Sequence, residues 1–154
     1  MTTLSLSSPS FKNLEFIPDE YSCNGINISP ELNWKEAPKN TKSFALTMVD
    51  PDAPGREFVH WILYNIPPEV HHLPSNISKK PLLENGMIQG MNDFDSIGYG
   101  GPCPPPLQTH SYIFTIFALD SMLSLRQEAS YAELQEALKN HLLTKAQILG
   151  FFAK

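Results

Sequence analysis

Apolar residues recur with a two-residue period, or fill both faces, in three stretches of this chain, and each stretch predicts a strand. In 43–50, Phe44, Leu46, Met48 and Asp50 share one face. The carboxylate of Asp50 thus stands in line with core side chains, but at the strand's end. The second stretch, 58–66, carries Phe58, Ile62, Tyr64 and Ile66 on one face and Val59, Trp61 and Leu63 on the other. A strand covered from both sides reads this way. His60 lies on its first face, near the start. The third stretch, 112–119, is again apolar on both faces, with His110 two residues ahead on the parity of Tyr112, Phe114 and Ile116.

Helical periodicity is confined to the C-terminal part. Ser130 and Glu133 have the spacing of a capping box, and Leu134, Leu138 and Leu142 follow down one side of the helix it would open. In 146–153, Ile148, Gly150 and Phe152 alternate with Leu149 and Phe151, which reads as a closing strand, a continuing helix being the alternative. The N-terminal third has short apolar pieces between turns at Asn24-Gly25 and Ser29-Pro30. Residues 69–99 read as loop with brief extended pieces. With no repeat, linker or low-complexity tract, the expectation is one mostly β domain over residues 1–154 with one clear helix.

Composition narrows the class. An apolar share of 42% with nine Phe and five Tyr excludes wholesale disorder, and the fourteen Pro sit between apolar runs as turn fixtures. The formal charge is -5 and no basic cluster occurs, which argues against a nucleic-acid groove or adhesion to anionic membranes. Met1 to Phe11 has neither a basic nor a continuous apolar segment, and no apolar run approaches spanning length. A cytoplasmic protein without stable membrane insertion is expected. In that setting Cys23 and Cys103 are expected as thiols.

Chemistry concentrates in two runs. Asp50-Pro51-Asp52-Ala53-Pro54 is followed by His60-Trp61, and Gly100-Gly101-Pro102-Cys103-Pro104-Pro105 by His110-Ser111-Tyr112. If the strands around 51–57 pair antiparallel, Asp50 and His60 share one end of the sheet, and a third antiparallel strand would bring His110 there too. Three titratable groups would then meet over an apolar floor, suited to an anion or a proton. Turn chemistry alone is the competing account of Asp50 and Asp52. His71, His72 and His141 read as surface or structural residues. No Gly-x-Ser-x-Gly or His-Glu-x-x-His motif occurs, and the prolines flanking Cys103 have no N–H to give an oxyanion. Binding without catalysis, cofactor or metal is therefore expected. A hydrolase at the same pocket and a ligand-independent protein regulator are the alternatives.

These runs resemble the phosphatidylethanolamine-binding protein family, and more closely its bacterial and archaeal Raf kinase inhibitor-like branch. The likeness extends from Tyr21-Ser22-Cys23-Asn24-Gly25 through Asn92-Asp93-Phe94 to Pro105 and beyond. It implies a large antiparallel sheet with a smaller sheet and peripheral helices, and a small pocket for anions and phosphorylated head groups. It places the pocket acids on Asp50 and Asp52, the histidines on His60 and His110, the proline wall on Pro104 and Pro105, and the tyrosine on Tyr112. Ala53 and Pro54 would line the entrance, and backbone N–H groups near Gly100 and Gly101 would help hold an anion. The chain departs from the family at Ser111, where an Arg is usual, and in stopping short of the C-terminal helix of mammalian members. A more open pocket follows, and kinase inhibition is not carried over. A homodimer covering Phe151 or Phe152 is also expected.

Overall fold

The computed structural model describes residues 3–154, so Met1 and Thr2 of the N-terminal stretch lie outside it. In chain order the strands are β1 (Ser5–Ser7), β2 (Glu15–Phe16), β3 (Leu32–Lys35), β4 (Ser43–Asp50), β5 (Phe58–Ile66), β6 (His72–Leu73), β7 (Ile88–Gln89), β8 (Thr109–Leu119) and β9 (Leu142–Ala153). One helix, α1 (Tyr131–Leu138), precedes β9. A six-stranded sheet runs in the order β2-β9-β8-β4-β5-β7, and a three-stranded sheet in the order β1-β3-β6. All pairs are antiparallel except the short edge contact of β2 with β9.

The two-faced apolar strands sit at the centre of the large sheet because each must bury both faces. Phe44, Leu46 and Met48 of β4 join Trp61, Phe114 and Trp34 in a core between the two sheets. Ala45 and Val49 on the opposite face meet Ile62, Tyr64 and Leu134 beneath α1. The predicted capping box forms at the start of α1: the Glu133 N–H donates to Ser130 Oγ, and the Ser130 N–H to Glu133 Oε1. That satisfies two of the backbone donors a helix start leaves open.

Two register shifts against β4 overturn the expected faces of β5: Ile66 joins Trp61 and Leu63 in one core, and Val59 joins Ile62 and Tyr64 in the other. The structure corrects three further expectations. Leu142 is not on the helix; α1 ends at Leu138, and Leu142 opens β9, paired with Leu119. The closing strand thus begins four residues before Ala146, because pairing along the long β8 recruits Thr144 and Lys145, whose side chains carry no apolar signal. For the same reason His110 lies within β8, opposite Phe152, and not ahead of the strand. The third correction concerns Cys23 and Cys103, which are joined in a disulfide and are not thiols. Both lie in loops, where no periodicity reports distance. Only the folded chain brings Cys23 N–H to the carbonyl of Pro102 at 3.0 Å.

Among the described residues, no helix is long and apolar enough to cross a membrane.

Candidate functional site

β4 ends where β5 and β8 begin, because both neighbours pair with it antiparallel. That topology carries Asp50, His60 and His110 to one end of the large sheet. A cavity of about 160 Å³ opens there, lined by Asp50, Ala53, Pro54, His60, Pro104, Pro105, His110 and Tyr112 of the predicted residues. Phe58, Phe94 and Cys103 complete its wall.

Asp50 and His110 form a buried pair, His110 Nδ1 donating to Asp50 Oδ2 at 2.6 Å. Asp50 Oδ1 accepts the Asp52 N–H at 2.8 Å, the Asx-turn bond that the Asp-Pro-Asp sequence favours. Turn chemistry and site chemistry thus use opposite oxygens of one carboxylate. His110 Nε2 meets the side-chain amide of Gln108 at 2.8 Å.

His60 is held differently. Its Nδ1–H donates to the Gly100 carbonyl at 2.6 Å, while the Gly100 N–H donates back to the His60 carbonyl at 3.0 Å. The ring stands edge-on to Tyr112 and Phe94, with centroids 5.2 and 5.4 Å away. Burial in this apolar setting lowers the His60 pKa. The carbonyls of Gly100 and Gly101 and the charges of Asp50 and Asp93 oppose that shift without cancelling it. The Tyr112 hydroxyl is buried near Asp50 and makes no well-formed hydrogen bond among the described residues. Burial and the nearby Asp50 charge push its pKa well up, so it remains a protonated phenol.

Two predicted residues do not face the cavity. Asp52 turns to Ser111, whose N–H and Oγ–H donate to Oδ2 at 2.7 and 2.6 Å. Those bonds hold the Asp52 carboxyl below the ordinary carboxylate range. Ser111 therefore tethers Asp52 by hydrogen bonds. Gly101 does not line the cavity, and its N–H donates to Asn27 Oδ1 at 2.9 Å. With the Gly100 N–H also engaged, the expected backbone donors are not available. A Cβ at Gly101 would stand 2.2 Å from the Tyr21 carbonyl and one at Gly100 2.4 Å from the Phe94 ring. Close packing accounts for both glycines.

Sequence reasoning missed Phe58 and Phe94 as wall residues. The signal was present in Asn92-Asp93-Phe94. Asn92 Oδ1 accepts from the Phe94 N–H, and Asp93 Oδ2 accepts from the Val59 N–H at 2.7 Å, which together lay Phe94 against His60. As expected, His72 pairs with Glu31 and His141 with Asp120 away from the site. A larger cavity of about 640 Å³ lies between Val70 and Met87 and contains none of the predicted residues. Among the described residues, no group of three His, Cys, Asp or Glu side chains is arranged to hold a metal ion.

The sequence profile of the phosphatidylethanolamine-binding protein family matches residues 7–153. This chain belongs to that family. It is 40% identical over 151 residues to the UPF0098 protein of Methanothermobacter thermautotrophicus, covering 98% of this chain and 99% of the relative. Identity to the UPF0098 protein of Aquifex aeolicus is 43% over 149 residues, covering 96% and 86%. Among solved structures, a phosphatidylethanolamine-binding protein homologue of Chlamydia trachomatis superposes with a TM-score of 0.91 at 34% identity, covering 100% of this chain and 99% of the other. YbcL of E. coli, described as a member of the mammalian family, also gives 0.91 at 34%, covering 98% of each. The expected fold is thus the fold of the family.

Proposed function

We propose that this family member is a binding protein for a small anion or phosphorylated compound, held in the cavity between Asp50, His60, His110 and Tyr112. The observation that carries the reading is the Tyr112 hydroxyl, buried without a well-formed bond beside the Asp50–His110 pair. Buried polar groups are nearly always bonded, so a hydroxyl left without a well-formed bond on a residue that lines the cavity invites a polar ligand. A cavity of about 160 Å³ corresponds to roughly five waters of liquid volume. A phosphoryl-sized head fits that space, whereas acyl tails would lie outside it.

Binding without turnover is supported by the fate of the candidate nucleophiles. Cys103 is in the disulfide, and the Ser111 hydroxyl donates to Asp52 outside the cavity. The test is calorimetric titration with inorganic phosphate. Tyr112→Phe removes a hydroxyl that makes no well-formed bond to the protein, so stability should hold while affinity falls about tenfold, the worth of one hydrogen bond to a charged group. Phosphate affinity unchanged in both Tyr112→Phe and His60→Ala would overturn the reading. Turnover of phosphate esters by the wild type, lost in the same variants, would favour the hydrolase.

We place a homodimer on the outer face of β9. Phe16 and Leu14 are each 62% exposed, and Phe16 packs on the partly exposed Phe151. Covering such a strip by two-fold contact is economical. Phe152, by contrast, is buried in the main core, so Phe152→Asp would unfold the chain and tests nothing about assembly. Sedimentation should give twice 17.3 kDa for the wild type and a monomer for Phe151→Asp. A wild type that sediments as a monomer at micromolar concentration rules the dimer out.

A further inference from the structure

We propose that the cavity selects a ligand that brings its own proton, a phosphate monoester bound as the monoanion, and that His60 is the residue that reads that proton. The inference rests on the binding reading above and sharpens it to one protonation state of the ligand.

The argument follows the hydrogens. A carbonyl only accepts, so the 2.6 Å contact from His60 Nδ1 to the Gly100 oxygen requires the proton on Nδ1. The return bond from the Gly100 N–H to the His60 carbonyl fixes both partners, so the ring cannot exchange tautomers without breaking this clamp. In the neutral ring Nε2 then bears a lone pair. Nε2 has no hydrogen bond to the protein, and the ring lines the cavity.

The groups around that lone pair do not favour a second ring proton enough to offset burial. Asp50 at the end of β4 lies within reach, but its carboxylate already accepts from His110 and from the Asp52 N–H. Asp93, in the turn against β5, is bonded to the Val59 N–H and paired with Arg56. From β8 come His110, bonded through both nitrogens, and the uncharged Tyr112. Among the described residues, no lysine or arginine lines the cavity. Burial accordingly lowers the His60 pKa, which agrees with the neutral ring the clamp implies.

What faces a ligand is therefore the Tyr112 hydroxyl, one acceptor on His60 and the edge of the Asp50 carboxylate, with His110 beside it held by Asp50 and Gln108. A dianion would meet one donor and two electron-rich groups. A monoanionic phosphate ester fits better: a P–O oxygen accepts from Tyr112, and the P–OH donates to His60 Nε2. No covalent step is involved, and the ester proton stays on the ligand.

Methyl phosphate and methyl sulfate test this on the unmodified protein. Below a second pKa of about 6 the phosphate ester is a monoanion carrying one hydroxyl, whereas the sulfate ester is a monoanion of similar shape with none. Calorimetry at about pH 5.5 should give at least tenfold tighter binding of methyl phosphate, weakening by roughly tenfold by about pH 7.5 as the ester loses its proton. Nitrogen-15 spectra of His60 should show Nε2 still unprotonated in the complex. Equal binding of the two esters, or a doubly protonated His60 in the complex, overturns the inference while leaving the binding function standing. If neither ester binds at millimolar concentration, the binding function falls as well.

Discussion

Replacing His110 by alanine should lower the stability of the fold by about 3 kcal/mol, because it strands Asp50. The Asp50 and His110 side chains are each only 5% exposed, and water cannot readily take the place of the lost imidazole N–H. Breaking a buried pair from one side is costly in this way, even where the intact pair adds little net stability. His110→Asn keeps an N–H donor at the same position and should recover part of the loss. The double change Asp50→Asn with His110→Ala should be less destabilised than the sum of the single changes, since the uncompensated charge is gone. Urea unfolding at neutral pH reads the wild type and the four variants, Asp50→Asn alone included. A stability within about 0.5 kcal/mol of wild type for His110→Ala would mean that the pair does not organise this end of the sheet. A position near a strand start, where the sequence puts His110 and where it lies as the second residue of β8, would by itself predict that harmless outcome. Its burial against Asp50 changes the expectation.

That contrast shows which parts of the molecule the sequence makes legible. The bounds of the central strands β4 and β5 are readable because each buries apolar side chains on both faces, and burial is what periodicity records; the faces of β5 are not, because its register shifts against β4 break the alternation twice. The ends of β8 and β9 are not, because Thr109, Ser111, Thr144 and Lys145 are held by backbone pairing, which leaves no trace in side-chain type. The meeting of Asp50, His60 and His110 follows from two antiparallel connections and could be anticipated. The direction of each hydrogen bond could not. Whether Gly100 and Gly101 turn their N–H groups toward the cavity or toward His60 and Asn27 depends on a loop whose path the sequence does not encode locally. The consequence is large, since it takes both backbone donors away from a pocket expected to be rich in them. Phe94 lies between these extremes. Its neighbours Asn92 and Asp93 have the turn-forming side chains that place it, but nothing in the run says which strand the turn packs against.

Serine at both Cys23 and Cys103 should lower stability by about 2–4 kcal/mol, the usual worth of a disulfide that closes a long loop. The bond links residues 80 apart in sequence, so much of its effect lies in the unfolded chain, which loses conformations when cross-linked. For a chain of this size the midpoint of thermal unfolding should fall by roughly 4–16 °C. Both cysteines are exposed, so a dithiol reductant reaches the bond in the folded wild type and should reproduce the shift. The same change should reach the cavity, because Cys103 lines it and is followed directly by the Pro104 and Pro105 wall. Two backbone anchors remain when the bond is cut: Cys23 N–H on the Pro102 carbonyl and Gly101 N–H on Asn27. The wall should therefore loosen without collapsing, and phosphate affinity should fall several-fold, short of being abolished. Calorimetric unfolding with and without reductant, followed by titration with phosphate under both conditions, separates the two effects. An unfolding midpoint that ignores both the reductant and the double serine change would mean that the chain folds with Cys23 and Cys103 as thiols, the state expected for a cytoplasmic setting.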